Sequence, residues 1–454
     1  MNSIVRFILK LITSVILSVV LFTSAFTVGN ATESVYAVSN YIDRFGKETG
    51  CDAISVVVVE NGEATFYGDP DGLYQIGSMT KAFTGLAVRK LIYEGLIQED
   101  DKVSDIIPGF NAYYEDVPVE ITINQLLMQT SGYTNSETTY PSAAEGMSLV
   151  EWVDSISGKK LSSKPGEKYA YSNVNFNLLG AVIEKTTGLS YKEYMKTEIL
   201  EPLGLNSTFV GFPEGDANIV KGSRLGYRHS FTYEIPVIDG RIPAGYFYSN
   251  TTDMARWIEI WTGSADIPEE YKELVRITKQ NLSAPGDYYA GWEAFDAVSI
   301  AHSGGTPNYS SRIIFSEDNK TGVCVLTNMN VAASTDSLCN GIYAEIHGGT
   351  QNGIVTDVWT VFDIIFTAVS ALGLLIFMLS MFIKKLKVLI PIGSFTLIIL
   401  LAICIVMPLA FGASLGEMMQ IWAPYSFSGG LIMLVVCTIA ITIKILFIKL
   451  KSYM

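Results

Sequence analysis

Gln75-Ile76-Gly77-Ser78-Met79-Thr80-Lys81-Ala82-Phe83-Thr84-Gly85-Leu86 places a serine and a lysine three residues apart where a helix begins. Three residues is nearly one helical turn, so both side chains share a face. Leu86, Ala87, Val88, Leu91, Ile92 and Leu96 continue an apolar stripe, which puts Ser78 near a helix N-terminus, where partial positive charge favours a developing oxyanion. That suits an acyl-accepting nucleophile. Lys81 can take its proton only if burial or a neighbouring cation lowers the lysine pKa from about 10.4. A second S-x-x-K, Ser157-Gly158-Lys159-Lys160, has no apolar helix after it and reads as a solvated loop. Read alone, Ser78 is better explained as a helix cap, and the case for a nucleophile rests on what lies downstream.

Lys164-Pro165-Gly166-Glu167-Lys168-Tyr169-Ala170-Tyr171-Ser172-Asn173 follows a turn and precedes a helix, so Tyr171 and Asn173 project from a rigid connection. A tyrosine acts as a base only as phenolate, which needs a cation such as Lys81 to lower its pKa from about 10. Asn173 would then orient the lysine or a substrate amide. Another Y-x-N occurs at Tyr133-Thr134-Asn135, so a packing tyrosine is the default for the tripeptide alone. The third element, His302-Ser303-Gly304-Gly305-Thr306-Pro307, precedes the strand-like Ser311 to Ser316. Its glycines let backbone lie close to a substrate and present N–H groups, whereas His302 by itself reads as structural.

The 454 residues carry a formal net charge of −14, and the acidic excess lies between Thr32 and Thr356. Nucleic acid is therefore excluded as an expected partner. Cys51, Cys324 and Cys339 are an odd set allowing at most one internal pair, and they read as structural. His229, His302 and His347 show no metal-ligand spacing, so no metal and no cofactor is expected. Residues 1–31 begin with Arg6 and Lys10, continue through an apolar run from Leu11 to Phe22 and end in small residues, the pattern of a signal peptide or N-terminal anchor.

Residues 357–454 hold three apolar runs, Val358 to Ile383, Val388 to Phe411 and Phe427 to Ile448, each able to cross a hydrocarbon core of about 30 Å. Lys384, Lys385 and Lys387 lie between the first two, and Lys444, Lys449 and Lys451 flank the third, while Gly412 to Ser426 has no basic residue. Both clusters should face the cytoplasm, with residues 32–356 outside the cell and the chain a multi-pass membrane protein. Asp363 is an intramembrane acid whose simplest account is interfacial depth, and Lys444 is close enough to an interface to snorkel. Within residues 32–356, Ala53 to Glu60 and Ala64 to Tyr67 read as strands joined by an Asn61-Gly62 turn, and Thr321 to Thr327 as a late buried strand. Ser334 to His347 reads as a closing helix, and helical periods such as Asn175 to Thr187 fill the middle. The expected fold class is α+β, a sheet with a helical insertion between early and late strands.

With these elements in this order, Val35 to His347 resembles the serine β-lactamase and penicillin-binding-protein-like superfamily, on its class C side. The matching phrases are IGSMTK, GLIQEDDKVSDIIP, ITINQLLMQTSGY, PGEKYAYSNVNFNLLGAVIEKTTGLSY, EPLGL and HSGGTPNYSS before GVCVLTN. The resemblance implies an antiparallel sheet flanked by helices, a helical subdomain, and a site between them. It further implies that Ser78 is acylated, that Lys81 and Tyr171 handle the proton, that Asn173 orients, and that the N–H groups of Ser78 and Gly305 form an oxyanion hole, with Gly304 beside them. The chain departs from β-lactamases and cell-wall carboxypeptidases where their third motif is K-T-G, because His302 holds that position and a neutral imidazole grips a carboxylate poorly. The three C-terminal crossings resemble the layout of prodrug-activating peptidases similar to the colibactin-maturing enzyme. Expected partners are therefore a small peptide-like or acylated substrate, such as an N-acyl-D-amino-acid amide, and the lipid bilayer. A DD-peptidase, a β-lactamase and a non-catalytic cell-wall-fragment sensor remain alternatives, and Phe247, Tyr248, His229 and Asn308 are candidate cleft residues.

Overall fold

The computed structural model describes residues 38–135, 145–350 and 353–453, so the expected signal or anchor at 1–31 lies outside the described residues. Seven strands build the main sheet: β1 (Ile54–Glu60), β2 (Glu63–Tyr67), β3 (Tyr288–Tyr289), β4 (Trp292–Ala294), β5 (Ser299–Thr306), β6 (Tyr309–Ser316) and β7 (Thr321–Thr327). Their spatial order is β3-β4-β5-β6-β7-β1-β2, and every neighbour is antiparallel. Asn61 and Gly62 both take positive φ, as a tight hairpin between β1 and β2 requires.

The valine run of β1 is buried on both faces, which is why it reads as unbroken rather than alternating. Side chains nevertheless divide by parity. Val57, Ile313, Phe315, Cys324 and Leu326 point into one core, with Phe83 and Trp257. Val56, Val58, Ile314, Val323 and Val325 point into the other, with Phe45, Leu338 and Ile342 from the helices Val38–Thr49 and Ala332–Ile346.

The serine helix, Thr80–Tyr93, differs from its expected striped form. All its residues from Thr80 to Leu91 are buried, because it packs against the helix Asn173–Thr187 and its own Phe83 stacks on Trp257 at 4.2 Å. The helix ends before Gly95, and Leu96, expected on the stripe, is 55% exposed beyond it. The third motif also differs. Rather than preceding a strand, His302 to Thr306 are the end of β5 and pair with β6 in the register Gly304↔Ser311 and Gly305↔Ser310.

Three helices, Val358–Phe382, Leu386–Phe411 and Tyr425–Tyr453, are long and apolar enough to cross a membrane. Lys444 Nζ donates to the carbonyls of Ser380 and Met381, so the lysine satisfies the C-terminal carbonyls of the first of these helices. At the opposite end, Asp363 is fully buried and accepts a hydrogen bond from Ser426 Oγ at 2.7 Å. Interfacial depth alone therefore does not account for it.

Candidate active site

Ser78 lies in the 3-10 turn Gly77–Met79 that runs directly into the serine helix. Gly77 has φ +52°, and a Cβ there would fall 2.5 Å from the amide nitrogen of Gly305. Facing it, a Cβ on Gly304 would fall 2.1 Å from Ile76 O and 2.2 Å from Ser311 Oγ. The two glycines thus let β5 lie against the turn and bring the Gly305 amide beside the Ser78 peptide. Ser311 Oγ donates to Ile76 O at 2.8 Å and fastens the contact, a role that its place in the sequence did not signal.

Lys81 is completely buried, and its Nζ lies 3.0 Å from Ser78 Oγ, 2.7 Å from Asn173 Oδ1 and 2.5 Å from Ala244 O. Burial holds its pKa well below the ordinary lysine value. A neutral amine has two N–H groups and one lone pair. The two amide-type carbonyl oxygens can only accept, so they take the hydrogens and leave the lone pair for the Ser78 hydroxyl. This is the hydrogen-bonding pattern of a general base.

Tyr171 is half-buried, and Lys81 Nζ lies 5.0 Å from its ring centroid. The Tyr171-Ser172-Asn173 segment is gripped by the loop 129–135. Gln129 O accepts from Ala170 N at 2.9 Å, Gln129 Oε1 accepts from Ser172 N at 3.0 Å, and Asn135 Oδ1 accepts from Asn173 N at 2.8 Å. Gln129 Oε1 also accepts from Asn175, whose Oδ1 takes a hydrogen bond from Ser131 Oγ at 2.5 Å. The loop is visible in the sequence only as the phrase QTSGYTN, whose second Y-x-N gave no hint that Asn135 holds Asn173.

His302 is buried, and its ring lies 6.1 Å from that of Tyr171. Nδ1 is 2.6 Å from Ser303 O, a group that only accepts, so Nδ1 carries the hydrogen. Nε2 is left to accept from Tyr288 OH at 3.3 Å. Burial, with Lys81 nearby, pushes the imidazole pKa down to about 3. His302 is therefore neutral, and its single N–H is already committed. Tyr288 was not among the residues singled out from the sequence.

A separate cavity of about 700 Å³ is walled by Val210, Phe212, Ile219, Val237, Tyr248 and Asn308, with charged residues such as Lys192, Lys221 and Glu234 also in its lining. Its lining does not include Ser78, Lys81 or Tyr171; Ile242 and Tyr248, which flank the Ala244 whose carbonyl holds Lys81, belong to its wall. Of the four candidate cleft residues, Tyr248 and Asn308 line the cavity. Phe247 is core, 5.5 Å from Phe83, and His229 is exposed on the hairpin Ser223–Thr232. Cys51, Cys324 and Cys339 are buried free thiols whose pKa values burial pushes up, so they are not nucleophiles at neutral pH. Among the described residues, no group of His, Cys, Asp or Glu side chains is arranged to hold a metal.

Residues 38–347 match the family model described as Beta-lactamase. The chain belongs to the β-lactamase family. This family comprises serine hydrolases, with penicillin-binding-protein homologues among the neighbours of this chain. Protein flp of Staphylococcus aureus (strain MRSA252) is 33% identical over 303 residues, 61% of this chain and 59% of that protein, so the chain spans under two thirds of that relative. Among solved structures, the octameric penicillin-binding protein homologue from Pyrococcus abyssi superposes with a TM-score of 0.60 at 24% identity, over 72% of this chain and 80% of that one. A class C beta-lactamase gives a TM-score of 0.57 at 17% identity, over 66% and 93%. At these identities the two structures establish the β-lactamase-like α+β fold expected from the sequence.

Proposed function

We propose that this β-lactamase family member is a membrane-anchored serine hydrolase that works outside the cytoplasm through an acyl-enzyme on Ser78, cleaving an amide or ester of a peptide-like substrate. The observation that carries the reading is Lys81, dry, flanked by two oxygens that only accept, with its remaining hydrogen-bonding direction on Ser78 Oγ. In this scheme the Ser78 proton passes to Lys81 as Oγ bonds to the substrate carbonyl carbon. The Ser78 and Gly305 amides stabilise the oxyanion. Collapse breaks the bond to the leaving amine or alcohol, which takes the proton through Tyr171. Water then attacks the acyl ester, releases the acid and restores the serine.

The committed N–H of His302 argues against grip on a substrate carboxylate. That favours capped substrates, N-acyl-D-amino-acid amides or esters, over the carboxylate-bearing substrates of DD-peptidases and β-lactamases. Val210, Phe212, Ile219 and Val237 give the cavity of about 700 Å³ beyond Ile242 and Tyr248 an apolar side that suits an acyl group, beside a charged side carrying Lys192 and Glu234. The lysine clusters at the bundle end away from the domain favour an extracytoplasmic site.

The test is to incubate the purified full-length protein with a fluorophosphonate probe, a fluorescent penicillin and a panel of N-acyl-D-amino-acid amides, acyl esters and a chromogenic cephalosporin, alongside Ser78→Ala. The reading expects covalent labelling and turnover in the wild type only. Equal labelling of Ser78→Ala removes the nucleophile assignment.

A further inference from the structure

The contact between the hydrolase domain and the membrane helices is buried and polar. The hairpin Ser223–Thr232 turns through Tyr227 and Arg228, which have φ +50° and +63°. Two consecutive left-handed residues make a tight type I′ turn, which ordinarily calls for Asn-Gly; without glycine, both residues are held in a strained conformation. The strained turn aims two adjacent amides at one acceptor. Asp363 of the first membrane helix takes Tyr227 N–H at 2.7 Å on Oδ1 and Arg228 N–H at 2.8 Å on Oδ2.

Arg224 makes a second grip from the same hairpin. Its guanidinium is buried and donates to Ala423 O at 2.5 Å, Met419 O at 2.8 Å, Gln420 O at 2.9 Å and Met418 O at 3.2 Å. These carbonyls belong to the short helical turn before the third membrane helix, where Met418 O also accepts from Ala423 N at 2.8 Å and Gln420 O from Tyr233 OH at 2.7 Å. The rings of Tyr233 and Tyr425 flank the cation at 5.2 and 4.8 Å.

The hairpin in turn holds the end of β5 and the start of β6. Ser223 N is shared between Asn328 O at 2.6 Å and Asn308 O at 3.3 Å, and Asn308 Nδ2 donates to Tyr233 O at 2.9 Å. Asn308 stands three residues after Gly305, in the turn that closes the third motif, and Thr306 Oγ1 donates to Asn308 Oδ1 at 3.2 Å. A continuous path of hydrogen bonds and short backbone links thus runs from Asp363 and Met418–Ala423 through the hairpin to the Gly304-Gly305 strand.

We infer that the three-helix region is part of the site's architecture rather than a tether, with Asp363 and Arg224 acting as positioning residues that hold the third-motif turn at its working distance from Ser78. The inference rests on the hydrolase reading above. Displacing such a turn by an ångström is enough to lower kcat about a hundredfold without any lost substrate contact.

The test uses the full-length protein in nanodiscs and a water-soluble p-nitrophenyl ester, so that delivery through the bilayer does not enter the readout. Asp363→Asn and Arg224→Gln are expected to lower kcat about tenfold to a hundredfold, with KM changed by less than about threefold, and to slow fluorophosphonate labelling in parallel. Adding Tyr227→Asn and Arg228→Gly to Asp363→Asn supplies a hairpin turn that forms without the carboxylate, and should restore most of kcat. This combination also keeps the test open where Asp363→Asn alone does not accumulate. Values of kcat within about twofold of wild type in both single variants, or a loss that the Asn-Gly turn leaves untouched, overturn the inference. Ser78→Ala, run beside them, separates this failure from failure of the hydrolase reading, which would show as unchanged labelling of that variant.

Discussion

Asn135 Oδ1 accepts the backbone N–H of Asn173 at 2.8 Å, so the loop 129–135 holds the residue that orients Lys81. Gln129 works on the same segment from the other side through Ser172 N. Gln129→Ala leaves Ser172 N and Asn175 Nδ2 unpaired in a buried place and should cost about 1–3 kcal/mol of stability. It should also lower kcat about tenfold or more by loosening Tyr171 and Asn173. Thermal melts and steady-state kinetics on the same preparation check both. A destabilised variant with full kcat would show that the loop supports only the fold.

Activity should depend on pH through Lys81. Its pKa is lowered by burial, and the base must be neutral, so kcat/KM is expected to rise with pH as Lys81 loses its proton and then to level off, below the range of an ordinary lysine near 10.4. His302, pushed down to about 3, adds no step between pH 5 and 8. A profile of kcat/KM from pH 5 to 10 measures this, and a break near 6.5 that disappears in His302→Ala would contradict it.

Gly304 and Gly305 are adjacent but not equivalent. A methyl at Gly304 would collide with Ile76 O and Ser311 Oγ, whereas one at Gly305 finds its nearest neighbour, Ala332 Cβ, at 4.0 Å. Gly304→Ala should therefore force β5 away from the serine turn, cost about 1–3 kcal/mol and depress activity, while Gly305→Ala should melt close to wild type. Equal melting temperatures for the two variants would count against the close approach.

Pairs of substrates that differ only at one terminus test the role of His302. With its N–H held by Ser303 O and its Nε2 occupied by Tyr288, the amide-capped member should be turned over with a kcat/KM at least about tenfold above that of the free acid. A preference for the free carboxylate would mean that another cation supplies the grip.

The parts of the site legible beforehand were those that chemistry confines to side-chain identity and short spacing. Ser78 with Lys81, Tyr171 with Asn173, and His302 with its glycines each form a local pattern, and the structure brings the three patterns together. The Asn61-Gly62 hairpin and the three long apolar helices were readable for the same reason, since turn chemistry and hydropathy act over a few residues. Backbone acceptors leave no such mark. Nothing about Ala244 announces that its carbonyl orients Lys81, and Gln129 works through its own carbonyl as well as its amide. The Ser223–Thr232 hairpin escaped notice because its turn residues, Tyr227 and Arg228, are ones that turn preferences disfavour. Leu96 was placed on a helix because it extends an apolar stripe, but Gly95, with φ +73°, follows the helix end and turns the chain away.

The pairing of β1 with β7 joins Ile54–Glu60 to Thr321–Thr327, the two ends of the hydrolase domain. Almost the whole domain must be synthesised before its central ladder can close, the kind of distant pairing that makes folding slow. The first of the three long apolar helices begins at Val358, one helix after β7. Under the membrane-anchored reading proposed above, a growing chain gains its anchor soon after its sheet becomes able to form, and the vulnerable, half-paired intermediate is confined to a surface instead of diffusing among others like itself.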